Sequence, residues 1–449
     1  MTTRSLQGVI DSGMCIGCGA CVAADPSIRL QLDPVRQSYA PSHAGSERAA
    51  SVCPAIEVDF DSLQSKVFPG ATPGHHGVID SVLLAQSSDY YRNLNASSGG
   101  LIKELIHAYL TSGKIDGVIS VVHRGGIAFE PKLVADPEEI DTLPGSIYHA
   151  LPFDVALKIL GQRPGTYVLV AIPCQLEGIY GYVHRYAPEL ADRIHTTIGL
   201  LCGCQYSHHA LRAICAYKDV DFERLTTVAW RGGGAVGKLR LTTPENEKAV
   251  SRRLDFSYQV AFDRSFNLPR CHLCINHTNF LADIVVGDAW LPSTLYTRTG
   301  ISLLVCRKSE TRRLVDRLTE EGKIVSTVVS VGEIAESQTR RMAFGDFAYA
   351  YQEFLAKQGL PHPKMTGPNR SAAQLYDEST IAEFHKELML KLRLQAERRY
   401  RLLWWRKLTI ELPKLAERYL NWFLVRVVRV RSLTGKRKEV GREQIRIFR

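Results

Sequence analysis

The chain has 449 residues, 45% of them apolar and 23% charged, which is the make-up of a soluble globular protein with room for two or three domains. No stretch is apolar for long enough to span a bilayer, nothing at the N-terminus reads as a signal peptide, and the odd count of 11 cysteines argues for a reducing compartment and against a disulfide framework. The net charge of +10 is uneven: from Thr380 onward 19 Lys and Arg stand against 7 Asp and Glu, so the basic character belongs to the tail and says little about the partner of the core.

In chain order, residues 1–66 form a small Cys-rich unit. Residues 66–77 read as a Pro- and Gly-rich linker. From Val78 the pattern changes to short apolar strands separated by helices. Strands are expected at 81–86, 118–122, 167–172, 196–201 and 282–286, and a helix at 97–110 with Leu101, Leu105 and Tyr109 on one face. Near-continuous apolar strands alternating with helices indicate an α/β sheet buried on both faces. Residues 342–377 are loosely patterned, and the remainder is basic and mostly helical. The expected organisation is a Cys-rich domain at 1–66, an α/β core at 78–345 and a basic amphipathic helical tail at 380–449.

Eight cysteines have cluster-ligand spacing. Cys15, Cys18 and Cys21 form a C-x2-C-x2-C run, and Cys53 is followed by Pro54. Three thiolates at that spacing wrap one cubane and a remote Cys-Pro supplies the fourth, so a ferredoxin-like 4Fe–4S segment is expected; a zinc knuckle is the competing reading, although zinc sites usually pair two C-x2-C units. The second set is Cys174, Cys202, Cys271 and Cys274. The first two lie at the carboxyl ends of predicted strands, where an open parallel sheet lines its ligand crevice. Four such thiols suit a second cluster; the alternative is buried structural cysteine, which fits Cys215 and Cys306 better than a C-x2-C pair. Cys204 is ambiguous. Two clusters make the chain an electron carrier.

Ser97, Ser98, Gly99 and Gly100 open the helix at 97–110. Small residues there leave free N–H groups and a positive dipole end for a phosphate, and equally make a plain N-cap. Residues 232–237 match G-x-G-x-x-G, but a strand pattern follows, so a glycine-rich hairpin is expected in place of a dinucleotide site. His208 and His209 read as packed or solvated. The tail interleaves Lys and Arg with Trp404, Trp405, Trp422 and Phe423. That suits the anionic inner face of a membrane or a partner protein, and no nucleic-acid motif supports a third partner.

Several of these segments resemble the coenzyme F420 hydrogenase/dehydrogenase beta-subunit family. They are Ser97-Ser98-Gly99-Gly100 with residues 113–119, Ile172-Pro173-Cys174-Gln175 with Gly178, residues 198–202, and Cys271-x-x-Cys274 leading into residues 282–290 (ADIVVGDAW). The resemblance runs from about residue 8 to 345. It implies iron–sulfur clusters and a flavin, usually FAD, with ferredoxin or another one-electron donor on one side and a small-molecule hydride acceptor on the other. Cys204 and the tail depart from it. Asp288, just past a strand end, and Arg231 are the candidates for catalytic residues beside the flavin; a turn aspartate is the plainer reading of Asp288. Three functions stay open: a self-contained cytoplasmic reductase, a redox subunit of a larger deazaflavin-dependent complex, and a membrane- or scaffold-bound protein with structural clusters.

Overall fold

The computed structural model describes residues 5–409 apart from 236, 253–254, 263, 295–296 and 369. Eight strands build the main sheet: β1 (Ser81–Ser87), β2 (Gly117–Gly125), β3 (Ala128–Val134), β4 (Tyr167–Ala171), β5 (Ile194–Leu200), β6 (Ile284–Asp288), β7 (Ser302–Cys306) and β8 (Ile324–Val329). Their spatial order is β8-β1-β7-β6-β5-β4-β2-β3. Only the central strands β6, β5, β4 and β2 run parallel to one another, with Ile284 opposite Ile198 and Val118 opposite Val168. Both sides of this block are closed by antiparallel strands. The mixed α/β sheet is therefore as expected, and its parallel part is confined to the centre.

Seven helices matter here: α1 (Leu101–Thr111), α2 (Asp154–Gln162), α3 (Pro173–Tyr186), α4 (His209–Lys218), α5 (Ser309–Glu320), α6 (Thr339–Lys357) and α7 (Glu378–Ala396). Strand residues alternate between two cores, as the two-residue period of a strand requires. Leu83, Val118, Val168, Ile284 and Leu304 join Leu105 and Ile106 of α1 and Val315 and Leu318 of α5. Val82, Ile119, Leu169, Val285 and Leu303 join Leu176, Ile179 and Val183 of α3 and the Cys-rich segment. Asp283 fastens β6 to β5 by accepting the Thr197 N–H at 2.7 Å and its hydroxyl at 3.0 Å.

The N-terminal segment consists of short helices and a two-stranded ladder that pairs Leu30–Leu32 with Tyr39–Pro41. It docks on the core. The Phe153 N–H donates to the Gly17 carbonyl at 2.8 Å, and a Cβ on Gly19 would lie 2.3 Å from the Asp154 Cα. Glu57–Asp59 pairs in parallel with Lys364–Thr366. The described residues up to Arg398 thus form one compact unit, and Arg399 onward lies outside it.

Three expectations change. Residues 342–377 hold most of the 19-residue helix α6 and a strand. The boundary expected near 380 falls after Arg398, because α7 buries Ile381 and Leu388 and belongs to the first unit. No break in packing separates residues 1–66 from the rest of that unit. His208 and His209 are packed: the Nε2 atom of each lies 2.8 Å from a carbonyl, that of Ala150 and that of Val35 respectively. The glycine-rich turn leads into Lys238–Thr242, which pairs antiparallel with Thr227–Ala229. Trp422 and Phe423 lie outside the described residues, and among the described residues no helix is long and apolar enough to cross a membrane.

A chain ending at Arg398 is expected to melt within about 2 °C of the full chain. One ending at Asp377 loses the buried Ile381 and Leu388 and is expected to melt at least about 5 °C lower, since each such side chain contributes roughly 1.5–3 kcal/mol. Thermal unfolding followed by circular dichroism measures both.

Candidate functional site

The two cysteine sets meet one helix, α3, about one turn apart. In the first, Cys15, Cys18, Cys21 and Cys53 line a single small cavity together with Gly19 and Pro54. The Gly17 N–H donates to the Cys15 sulfur at 3.4 Å. Gly17 and Gly19 both hold left-handed backbone, with φ of 70° and 80°, which lets the loop turn back on itself. Burial pushes the Cys53 thiol up to about 11, against the pull of backbone N–H groups and the Arg270 charge.

In the second set, α3 begins with Pro173 and Cys174 directly after β4. Cys202 follows β5, and Cys271 and Cys274 flank the turn before β6. Gln205 joins them: its amide N–H donates to Cys271 at 3.3 Å, and its side-chain Nε2 donates to Cys174 at 3.3 Å. Burial raises the Cys174 thiol well above its ordinary value, and Glu177, Cys202, Cys271 and Cys274 push the same way. Burial pushes Cys271 and Cys274 to about 12. Cys204 neighbours the set, acting electrostatically on both Cys202 and Cys271. The structure therefore brings together the residues of both sets, and adds Cys204 beside the second.

Four crowded thiols, buried or half-buried, resist deprotonation through desolvation and mutual repulsion. A cationic iron core removes both costs, and all-thiolate donors with N–H groups on sulfur suit it. Among the described residues no three His, Cys, Asp or Glu side chains converge as a single metal ion requires. A cubane makes no such demand, because each thiolate binds its own iron.

Helix α3 is common to both sets. Cys174 lies in its first turn, and Gly178 lies one turn on. A Cβ on Gly178 would sit 2.7 Å from the Cys18 sulfur. Glycine is needed here because a sulfur of the first set occupies the place of a side chain.

Beside the second set opens a cleft with a cavity volume of about 370 Å³. It lies at the carboxyl ends of β4, β5 and β6, where Ile172, Cys202 and Asp288 line it. Cys202 and Cys204 are part of its wall, so the cleft and the second set touch. The start of α1 forms another wall through Ser97, Ser98, Gly100 and Leu101. Gly100 caps α1 at φ 77° with no side-chain hydrogen bond, which leaves the first-turn amides of the helix without that partner.

The expected phosphate cradle needs one correction. Gly99 faces the sheet: its amide donates to the Ser302 hydroxyl at 2.9 Å, and a Cβ there would meet the Ala85 carbonyl at 2.7 Å. The serine hydroxyls have structural partners as well. Ser97 accepts the Ser146 N–H at 2.7 Å, and Ser98 donates to the Ile301 carbonyl at 3.2 Å. They stitch three loops around the cleft.

Arg231 and Asp288 meet in the cleft wall at 2.6 Å, and the Arg231 side chain is 2% exposed. Burial works against the Arg231 charge, but Tyr148 and Asp288 hold the guanidinium above its ordinary range. Next to the pair, with the Tyr148 hydroxyl 3.5 Å from Arg231 Nη1, stands an aromatic wall the sequence did not reveal. Tyr148 packs edge-on against Trp230 at 5.7 Å and Phe262 at 5.0 Å, and Trp230 donates to His149 Nδ1 at 2.8 Å. Arg252, Trp290 and Arg341 complete the lining. The sequence signal for them was slight, since they come from separate loops with no shared spacing.

With this geometry in place, comparison with known proteins places the chain. Residues 82–158 match the N-terminal part of the coenzyme F420 hydrogenase/dehydrogenase beta subunit, and residues 165–330 match its C-terminal part. The chain belongs to the coenzyme F420 hydrogenase/dehydrogenase beta-subunit family. It is 21% identical to a subunit of the F(420)H(2) dehydrogenase of Methanosarcina mazei over 65% of this chain and 81% of that one. It is 22% identical to the coenzyme F420-dependent sulfite reductase of Methanocaldococcus jannaschii over 66% of this chain, but spans only 46% of that protein. A chain of the F420-reducing NiFe hydrogenase complex from Methanosarcina barkeri shares the fold, with a TM-score of 0.50 and 17% identity over 66% of this chain and 99% of that one.

Gly178 and Gly181 lie on the same helix. Gly181→Ala, whose Cβ would lie 3.7 Å from the nearest atom, is expected to stabilise the protein by about 0.5–1 kcal/mol. Gly178→Ala must displace Cys18 and is expected to lower the melting temperature. Equal effects of the two substitutions would contradict the close approach of α3 to the first cysteine set.

Proposed function

We propose that the chain is an iron–sulfur flavoprotein oxidoreductase that carries electrons between two 4Fe–4S clusters and a small-molecule hydride acceptor or donor through FAD. The observation that carries this reading is the shared wall: Cys202 and Cys204 line a cleft that reaches from the start of α1 to the second cysteine set, beside four crowded thiols. A flavin bound there would exchange hydride with an organic partner and single electrons with a cluster. Cys15, Cys18, Cys21 and Cys53 would hold one cluster, and Cys174, Cys202, Cys271 and Cys274 the other.

The remaining work falls to the chain's own residues. The first-turn amides of α1 and its dipole favour the flavin's phosphates. The aromatic wall at Tyr148 and Phe262 offers a flat apolar face and keeps water from one side of the cleft. Arg231, held charged and positioned by Asp288, favours negative charge that develops beside it. Ferredoxin or a comparable one-electron donor would deliver electrons to the first set. The basic C-terminal segment would hold the protein at an anionic membrane surface or a partner protein.

A second reading, a redox subunit of a larger F420-dependent assembly, is favoured by the relatives named as subunits of F420 hydrogenase and F420H2 dehydrogenase. The first reading expects the isolated chain to turn over with reduced ferredoxin. The second expects activity only with partner subunits.

Anaerobically reconstituted protein is expected to hold about eight irons per chain, and Cys271→Ser about four. A wild-type value near four that Cys271→Ser leaves unchanged contradicts the second cluster. For the flavin, Ile102→Glu places a carboxylate in the first turn of α1 at the cleft wall. It is expected to weaken FAD binding about tenfold or more, read by fluorescence titration. Full retention of FAD in the folded variant would put the phosphates elsewhere.

A further inference from the structure

A buried ion pair lies between the two cysteine sets. Arg270 directly precedes Cys271, and its Nη2 lies 3.2 Å from Glu177 Oε2, with side-chain exposures of 2% and 0%. Arg270 reaches the first set through its Nε–H, which donates to the Pro54 carbonyl at 3.2 Å, next to Cys53. Glu177 lies on α3 between Cys174 and Gly178, the residue that packs on Cys18. Its second oxygen accepts from Asn276 Nδ2 at 3.0 Å. Arg270 Nη1 is buried without a hydrogen-bond partner.

Both charges act on both sets. Arg270 acts electrostatically on Cys53 of the first set and on Cys174, Cys271 and Cys274 of the second. Glu177 acts on Cys18 of the first and on the same three cysteines of the second. A buried ion pair is a poor way to add stability, because desolvation offsets much of the attraction and an apolar pair of similar volume often does as well. Between two redox centres the same pair has another consequence. A fixed cation favours the state with the extra electron, and a fixed carboxylate opposes it. Water does not screen either charge at this depth.

We propose that Arg270 and Glu177 are positioning residues that set the reduction potentials of the two clusters jointly, so that a change at either residue moves both clusters in the same direction. The proposal rests on the two-cluster reading above. No proton or electron passes through the pair; each of its two charges is fixed between the sets and acts on both.

The test uses the full chain, reconstituted anaerobically, with iron and sulfide counted before any potential is measured. Redox titration followed by electron paramagnetic resonance then gives the midpoint of each cluster. Arg270→Gln is expected to move both midpoints negative, and Glu177→Gln to move both positive. The double variant Glu177→Gln/Arg270→Gln is expected to move them less than either single change. A residue that only supports packing would not give opposite signs. Asn276→Ala keeps both charges and removes the amide that offsets the carboxylate, together with the acceptor of the Phe280 N–H. It decides the matter if the single variants fail to take up iron, and is expected to move both midpoints negative. Midpoints that stay in place, or a shift confined to one cluster, overturn the proposal. A wild-type iron count near four overturns the two-cluster reading instead, and the joint role falls with it.

Discussion

The arrangement depends on the close approach of α3 to a sulfur. Gly178 has no side chain because Cys18 takes that space. Cys174 stands four residues earlier on the same helix, about 6 Å along its axis. One rigid element therefore fixes the first cysteine set relative to the second. The rest of the site follows from where that helix starts. It leaves the end of β4 beside the ends of β5 and β6, so its first turn lies at the mouth of the cleft. First set, helix, second set and cleft form one connected series.

The core supports this with few irregularities. The parallel strands are buried on both faces and place their carboxyl ends together. Asp283 locks β5 and β6 in register, and the segment Ser97–Ser98 is tied by hydroxyls and amides to Ser146 and to Ser302 at the start of β7. The cleft floor is thereby held by several elements distant in sequence. Such preorganisation suits electron and hydride transfer, in which the protein contributes position and fixed charge more than reacting groups. The buried pairs Arg231–Asp288, in the cleft wall, and Arg270–Glu177, between the cysteine sets, are fixed charges of this kind.

Much of this was legible in the sequence. The central strands read clearly because uninterrupted apolar runs such as Tyr167–Ala171 have few other interpretations. The cysteine sets read clearly because ligand spacing constrains local geometry. Gly99 is different: a helix-start motif does not say which glycine faces the ligand and which packs on the sheet. Helix α6 is hidden in the sequence because Phe347, Tyr349, Tyr351 and Phe354 are buried around much of its circumference, which erases the one-sided pattern of a surface helix. The aromatic wall and the Arg270–Glu177 pair were not legible at all. Each joins residues tens of positions apart, and only the fold brings them within contact.

Central to the proposed function are two clusters held at short range, about one turn apart along α3. Electron paramagnetic resonance of the fully reduced, reconstituted protein tests it most directly. Two neighbouring reduced clusters should broaden and split each other's signals, and Cys271→Ser should leave one simple, uncoupled spectrum. Two additive, non-interacting signals in the wild-type protein, or a single cluster signal, would contradict the account.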